Sequence, residues 1–170
     1  MNKIIGLFAG VLLILSSCNT DECKDVVCGD QGNCVAGICE CLAGYEQDVD
    51  GLCNTEIREK FIGSWTVTDA CTASSSSSYT VTTTKNNTIL LDLNITNFWD
   101  VFNASVVANV NGSTFNIPRQ EPDNDDFFVE SVGDATINAA LNRVNVTFVI
   151  TDETVPGVVA ADTCTSTWVK

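Results

Sequence analysis

The side chains that could do chemistry in this chain are thiols and carboxylates, because its 170 residues include nine cysteines, 22 acidic residues and no histidine. Closely spaced cysteines ligate zinc or iron–sulfur clusters, or they form disulfides in oxidising compartments. The cysteines are Cys18, Cys23, Cys28, Cys34, Cys39, Cys41, Cys53, Cys71 and Cys164. Without histidine, Ser-His-Asp catalysis, Cys-His catalysis and HExxH metal sites are excluded.

The carboxylates outnumber the basic side chains by 22 to eight, which gives a net charge of −14 and a sequence pI of about 4.1. This acidic excess argues against nucleic-acid binding, because phosphates require a basic face. Two close carboxylates could hydrolyse a glycosidic bond, but no acidic pair stands out on an otherwise apolar strand. The densest acidic stretch, residues 121–126, is expected to be a solvated loop. We therefore expect a protein that is not an enzyme and has no cofactor, apart from calcium bound weakly if at all.

The amino terminus has the pattern of an export signal. Lys3 supplies one positive charge, and residues 4–15 carry no polar side chain but are too few to cross a bilayer as a helix. Residues 15–18, LSSC, resemble the lipobox of bacterial lipoproteins: leucine, two small residues and cysteine. The resemblance implies a signal peptide over residues 1–17, lipidation of Cys18, including palmitate, and a membrane anchor. The expected location is the bacterial cell envelope, at the outer membrane, with the protein facing either the cell surface or the periplasm.

Lipidation of Cys18 leaves eight cysteines, and six of them are crowded into residues 23–53 with the spacing C-x4-C-x5-C-x4-C-x-C-x11-C. The final part, C-x-C-x-x-G-Y-x7-C, resembles the EGF-like module. Spacing alone leaves 15 pairings open. A module this short cannot bury enough core, so disulfides have to stabilise it. The resemblance implies the pairs Cys23–Cys34, Cys28–Cys39 and Cys41–Cys53.

The acidic linker over residues 18–22 contains Asn19, Asp21 and Glu22 directly before the first cysteine of the module. These residues resemble the [DN]-x-[DN]-[EQ] motif of calcium-binding EGF modules, which implies oxygen ligands for Ca²⁺. The loop at residues 35–38 lacks the remaining residues of that motif, so calcium should bind weakly if at all. Two alternatives stay open. Acidic residues after a lipidated cysteine resemble export tags of some Gram-negative lipoproteins, and such a stretch is also typical of a solvated linker.

Beyond a polar joint at residues 54–60, the pattern predicts a β-domain over residues 61–170. Threonine, valine and aromatic residues alternate with polar ones at period two, which indicates half-buried strands. Every second residue of 89–95 is isoleucine or leucine, so these side chains are expected to share one face. Eight or nine strands in hairpins, without helical crossovers, predict an antiparallel barrel or sandwich.

Two turn signals set the expected hairpin registers. An Asn-Gly pair predicts a type I′ turn that places Val110 opposite Ser113. An Asn-Arg pair predicts a second turn that places Leu141 opposite Val144. In both hairpins the apolar side chains would then meet on one face of the sheet.

Cys71 and Cys164 lie outside the EGF-like stretch, and a disulfide between them would join the first strand of the β-domain to the last. If these strands pair antiparallel with the cysteines opposite each other, Trp168 falls opposite Val67. Trp65 then lies diagonally from Trp168 on the same face. We interpret Trp65 and Trp168 as an aromatic plug at one end of a barrel.

Gly63-Ser64-Trp65 in the first strand resembles the G-x-W signature of the lipocalin and fatty-acid-binding superfamily. The resemblance implies an eight-stranded barrel that encloses a small apolar ligand. It also implies a basic residue of the last strand above the tryptophan, a position for which Lys170 is the candidate.

Three functions are compatible with these patterns. The leading hypothesis is a non-enzymatic lipoprotein, facing the surface or the periplasm, whose EGF-like spacer presents a β-domain that binds protein or glycan through its loops. The alternative is a lipocalin-like carrier of a small apolar ligand, and the third is a carboxylate-based hydrolase. A large interior cavity would favour the carrier, a filled core the binding module, and a cleft with two close acids the enzyme.

Overall fold

The computed structural model describes residues 22–170, which form a disulfide-rich amino-terminal part and a β-barrel. The predictions for residues 1–17 and for Cys18, Asn19 and Asp21 lie outside the described residues. Within the described range, no helix combines the length and the apolar character needed to cross a membrane.

The amino-terminal part consists of two small antiparallel sheets of two strands each. In the first sheet β1 pairs with β2, and in the second β3 pairs with β4. Ala36 and Gly37 form the turn between β1 and β2, and both have positive φ, as a type I′ hairpin turn requires. The strands are β1 (Gly32–Val35), β2 (Ile38–Cys41), β3 (Tyr45–Glu46) and β4 (Thr55–Glu56).

Three disulfides hold this part together, and they are the pairs that the EGF-like resemblance implies. Their Cα–Cα distances are 5.7, 5.2 and 5.2 Å for Cys23–Cys34, Cys28–Cys39 and Cys41–Cys53. Several large apolar side chains here remain exposed, namely Val27, Val35, Ile38, Leu42 and Val49. Covalent bonds therefore take the place of a hydrophobic core, as expected for so short a module.

Residues 54–60, which we predict from sequence to be a polar joint, form an ordered connection. β4 leads into a 3-10 helix over Ile57–Phe61, and both ends of this helix are buried in the barrel core. Arg58 is buried as well, and its Nη1 donates to three backbone oxygens at 2.8–3.1 Å, those of Asn86, Ile89 and Asp92. Arg58 Nε also donates to the Glu56 carboxylate at 2.8 Å. Breaking the three Nη1 bonds would leave part of a buried guanidinium without acceptors, so the connection is fixed against the barrel.

The remaining strands close into an eight-stranded antiparallel barrel, which confirms the mainly β prediction and selects the barrel over the sandwich. The ring runs β5-β6-β7-β8-β9-β11-β12-β13 and returns to β5. β10 also pairs with β12, so β10 and β11 form one interrupted strand. The strands are β5 (Gly63–Cys71), β6 (Ser77–Lys85), β7 (Asp92–Thr96), β8 (Val106–Asn111), β9 (Thr114–Asn116), β10 (Phe127–Ser131), β11 (Ala135–Ile137), β12 (Arg143–Asp152) and β13 (Ala160–Val169).

The β5–β13 pairing that closes the barrel has the predicted register. Cys71 lies opposite Cys164 and Val67 lies opposite Trp168. The two cysteines form a disulfide with a Cα–Cα distance of 4.0 Å. Since the ring is closed, neither the first nor the last strand leaves a free sheet edge.

The first predicted hairpin register is wrong. Val110 pairs with Phe115 rather than Ser113, because the two-residue loop is Gly112-Ser113. Of these two residues only Gly112 has positive φ, 58°, which suits a type II′ turn with glycine first. The shift is two residues, so the inward-facing side chains remain those that were predicted.

The second predicted register is also wrong. Val144 pairs with Ile137 and not with Leu141, which lies in a longer loop with φ of 55°. The loop is stabilised by the Oδ1 of Asn138, which accepts from the backbone N–H groups of Asn142 and Arg143. An Asn side chain that bonds the backbone in this way competes with the ladder and ends it early.

The predicted apolar face over residues 89–95 is correct except at its first position. Leu93 and Ile95 are buried in β7, which begins at Asp92, and Leu91 is partly buried against the core. Ile89 is 52% exposed in the preceding loop. Asp92 is itself buried, and the Asn109 Nδ2 donates to its Oδ1 at 2.6 Å, which satisfies the buried carboxylate. Asp92 therefore departs from the alternation, which would place it on the outer face.

Candidate functional site

Aromatic side chains fill the barrel end next to the 3-10 helix. Trp65 and Trp168 are both buried, with ring centroids 6.4 Å apart, in the place where we predict the aromatic plug. The Trp65 Nε1 donates to the backbone oxygen of Phe61 at 2.9 Å. Lys170 Nζ lies 4.3 Å from the Trp65 ring centroid, which is the arrangement implied by the G-x-W resemblance.

The opposite end of the barrel is closed by one aromatic side chain from a loop. Phe98 begins a short 3-10 turn and is fully buried, with its ring 4.8 Å from that of Phe148 and 6.2 Å from that of Trp168. Three residues of this segment have left-handed backbone conformations, namely Asn97, Trp99 and Asp100. Such conformations cost free energy in residues other than glycine, so packing of Phe98 has to hold the turn in place.

Beneath the Phe98 turn lies a buried carboxyl group. Asp69 is fully buried, and the Tyr79 hydroxyl donates to its Oδ2 at 2.7 Å. Asp69 Oδ1 has no hydrogen-bond partner among the described residues. Burial raises the pKa of the Asp69 carboxyl, although the hydroxyls of Ser166 and Tyr79 oppose the shift. The Tyr79 hydroxyl also accepts from the Trp99 backbone N–H at 3.0 Å, which joins the carboxyl to the turn.

On the outer wall, the interruption between β10 and β11 forms a bulge. Ser131 lies opposite Phe148 and Thr136 lies opposite Asn145. Between these two pairs the interrupted strand advances five residues while β12 advances three. The interrupted strand therefore contains two extra residues, which bend it outward. Gly133 in the bulge has φ of 75° and open space where a Cβ would lie. The bulge, residues 132–134, leaves a cleft on each side.

The larger cleft has a volume of about 430 Å³ and lies on the outer face of β11, β12 and β13. A single charged residue, Asp134, belongs to its lining. Val132, 55% exposed, contributes an apolar surface at the rim. Hydroxyl and amide side chains supply most of the rest, namely Thr136, Asn145, Thr147, Thr165 and Thr167.

The smaller cleft, of about 310 Å³, lies on the other side of the bulge and is charged. Arg119 dominates it, with Nη2 donating to Glu153 at 2.6 Å and Nη1 lying 3.7 Å from Glu130. The same guanidinium stacks 4.2 Å from the Phe128 ring centroid. Two carboxylates therefore balance the charge of Arg119 within the protein.

The structure does not assemble the described acidic residues into an obvious calcium site. Glu22 is exposed in a turn, while Asn19 and Asp21 lie outside the described residues. In the acidic loop, Asp123 instead accepts from the backbone N–H groups of Asn103 and Ala104. One compact group of metal-ligand types is found in residues 22–170, Cys71, Asp162 and Cys164, but its two sulfurs are bonded to each other.

The sequence contained signals for two features that the sequence analysis did not predict: the buried Asp69 carboxyl group and the bulge at Gly133. Asp69 shares parity with Trp65 and Val67 in GSWTVTDAC, which places its carboxyl inside the barrel. Gly133 interrupts an alternating stretch, and an isolated glycine in a strand pattern indicates a bulge. The local sequence does not indicate on which side of the sheet the two clefts beside the bulge open.

No protein-family model matches the sequence, and no curated protein matches it. Among solved structures, the chain is similar to EF1p2_mFAP2b bound to DFHBI, with 14% sequence identity and a TM-score of 0.48. The match covers 67% of this chain and 96% of that chain. A similarity at this level carries no functional argument, so the function has to be argued from the site itself.

Proposed function

We propose that this chain is an exported lipoprotein of the bacterial cell envelope that binds a protein or glycan partner and catalyses no reaction. The observation that carries the proposal is the filled interior of the barrel. Phe98, Phe115, Phe148 and Trp168 are buried there with neighbouring ring centroids 4.8–6.2 Å apart. A partner would therefore bind the outer surface, where the two clefts lie.

The EGF-like part acts as a spacer in this proposal. It joins the barrel at the end that carries the 3-10 helix, and the buried Arg58 and the Lys60–Glu46 ion pair fix the junction. The Phe98 turn lies at the other end of the barrel, away from the spacer. Lipid attachment at Cys18 would hold the spacer end near the membrane and leave the barrel wall accessible.

Binding of a fluorescent fatty acid tests whether the interior is filled. We expect no saturable binding to the wild-type chain, because Phe98 occupies the space next to Phe148. Phe98→Ala, which removes that ring, is the positive control and should bind the probe; Phe98→Leu replaces it if the alanine variant does not fold. Saturable binding to the wild type, competed by other apolar molecules, would contradict the proposal.

The anchor is tested separately by mass spectrometry of the protein purified from bacterial membranes. We expect the mature chain to begin at Cys18 with a diacylglyceryl group and an acylated amino group. An unmodified Cys18 thiol, or cleavage elsewhere, would remove the lipoprotein part of the proposal. Loss of membrane association in Cys18→Ser with secretion retained would support it.

A carrier of a small ligand is the second candidate, and one observation favours it. Asp69 Oδ1 is a buried acceptor without a partner among the described residues, and it lies beneath the strained Phe98 turn. Displacement of Phe98 would open this oxygen to the space that the Phe98 ring fills. The fatty-acid experiment also tests this candidate, because the carrier predicts binding to the wild type and weaker binding to Asp69→Leu.

A further inference from the structure

We infer that the larger cleft beside the bulge is a binding site for an uncharged glycan chain. The inference rests on the proposed binding function and adds the site and the chemical class of the ligand. Three properties of the cleft support it. The cleft has free hydrogen-bond donors and acceptors, it contains a single charged side chain, and its row of polar side chains continues beyond the cleft.

The cleft has hydrogen-bonding groups that the protein itself does not use. The hydroxyls of Thr136 and Thr147 have no hydrogen-bond partner in residues 22–170, and neither has the Asp134 carboxylate. Asn145 Oδ1 accepts from the Thr167 hydroxyl at 3.3 Å, which leaves the Asn145 Nδ2 hydrogens for a ligand. A sugar ring carries hydroxyls that both donate and accept, so it can use every one of these groups.

The charge of the cleft favours a neutral ligand. The chain has a net charge of −14, which repels acidic polysaccharides and nucleic acids. The single exposed carboxylate of Asp134 attracts a cation only weakly in water. Asp134 can instead accept hydrogen bonds from sugar hydroxyls without a charge on the ligand.

The lining is also stiff and partly apolar. Threonine has few χ1 rotamers in strands, so its ordering on binding costs less entropy than that of lysine or glutamine. The threonine methyl groups and the exposed Val132 side chain can contact the C–H face of a sugar ring. A volume of about 430 Å³ falls within the usual range for ligand sites.

The row of side chains across the cleft continues around the barrel. Cross-strand pairing places Thr136, Asn145, Thr167, Thr68 and Ser78 directly opposite one another in sequence across β11, β12, β13, β5 and β6. With strands about 4.8 Å apart, four intervals give a row of about 19 Å. A linear glycan could follow this row, so affinity should rise with the length of the oligosaccharide.

Calorimetric titration of the full chain in detergent tests the inference. The probes are oligosaccharides of increasing length from β-glucan, xylan and mannan, with oligogalacturonate as the charged comparison. We expect one neutral series to bind with affinity that rises with length. Thr136→Val and Thr167→Val each remove a hydroxyl but keep the shape, and each should weaken binding about threefold to tenfold.

Thr66→Val is the matched control, because Thr66 is exposed on the same outer face of β5 but lies outside the cleft. An equal loss of affinity in Thr66→Val and Thr136→Val would overturn the site, and stronger binding of oligogalacturonate would overturn the ligand class. If no glycan binds but a protein partner is lost in Thr136→Val, the glycan inference fails while outer-surface binding stands. Saturable binding of the fluorescent fatty acid to the wild type would instead refute the proposed function.

Discussion

Removing the Cys71–Cys164 disulfide should destabilise the barrel without changing its fold. The bond closes a loop with a sequence separation of 93 residues, for which the chain-entropy relation gives about 4.7 kcal/mol at 25 °C. We expect a loss of about 3–5 kcal/mol, because residual structure in the unfolded chain lowers the full entropic value. Alanine is the suitable replacement, since Cys164 is fully buried and serine would bury a hydroxyl there. The six β5–β13 pairs should still close the ring.

Urea denaturation followed by tryptophan fluorescence measures this loss, with Trp65 and Trp168 as buried reporters. For a domain of roughly 110 residues the loss corresponds to a Tm lower by roughly 12–20 °C. The matched control is the Cys23→Ala/Cys34→Ala variant, whose loop spans 11 residues and predicts about 2.8 kcal/mol, confined to the amino-terminal part. A loss below about 1 kcal/mol in the barrel variant, or collapse of its circular dichroism spectrum, would refute the reasoning.

Three further predictions concern two hydrogen-bonded carboxyl groups, Asp69 and Asp162, and the buried ring of Phe98. Burial raises the pKa of Asp69 in the folded protein, so the free energy of unfolding is greatest below the unfolded-state pKa and falls as the pH rises through the folded-state pKa. Asp69→Asn should be more stable than the wild type at neutral pH. In urea titrations from pH 4 to 8, the variant should lack this pH dependence. For Asp162, burial opposes ionisation, but hydrogen bonds from Ser74, Ala73 and Thr72 lower the pKa well below its usual range. Asp162→Asn should therefore be destabilised most at neutral pH, and thermal melts should show the difference shrinking as the pH falls toward the folded pKa. Phe98→Ala should lower the free energy of unfolding by about 3–5 kcal/mol, whereas an unchanged value would mean that Phe98 is not part of the core.

The features of the fold that depend only on which side chains alternate inward and outward could be predicted, because this alternation is a local property of a strand. The alignment of Cys71 with Cys164 and the inward positions of Trp65 and Trp168 are of this kind. Registers set by loops were not predictable from turn pairs alone. At Asn138 a side chain bonds the backbone and ends the ladder, and no count of apolar residues contains that contact.

Less of the candidate site than of the fold could be predicted from the sequence. Thr136, Asn145 and Thr167 come from three strands, and their adjacency exists only once the register of β11 on β12 is known. That register depends on the two extra residues of the bulge, of which the sequence shows only Gly133. The burial of Arg58 is a similar case, since its three carbonyl partners lie 28–34 residues further along the chain, in the loop before β7 and at its first residue.

The disulfide between β5 and β13 would have a mechanical consequence for the membrane-anchored lipoprotein proposed above. When tension acts along the backbone, the 93-residue span between Cys71 and Cys164 cannot lengthen, because the load passes through the S–S bond. Fully extended, that span would measure about 320 Å. Stretching in a single-molecule force experiment should therefore release only the short segments outside the disulfide loops, and the tether should remain compact until the bond is reduced.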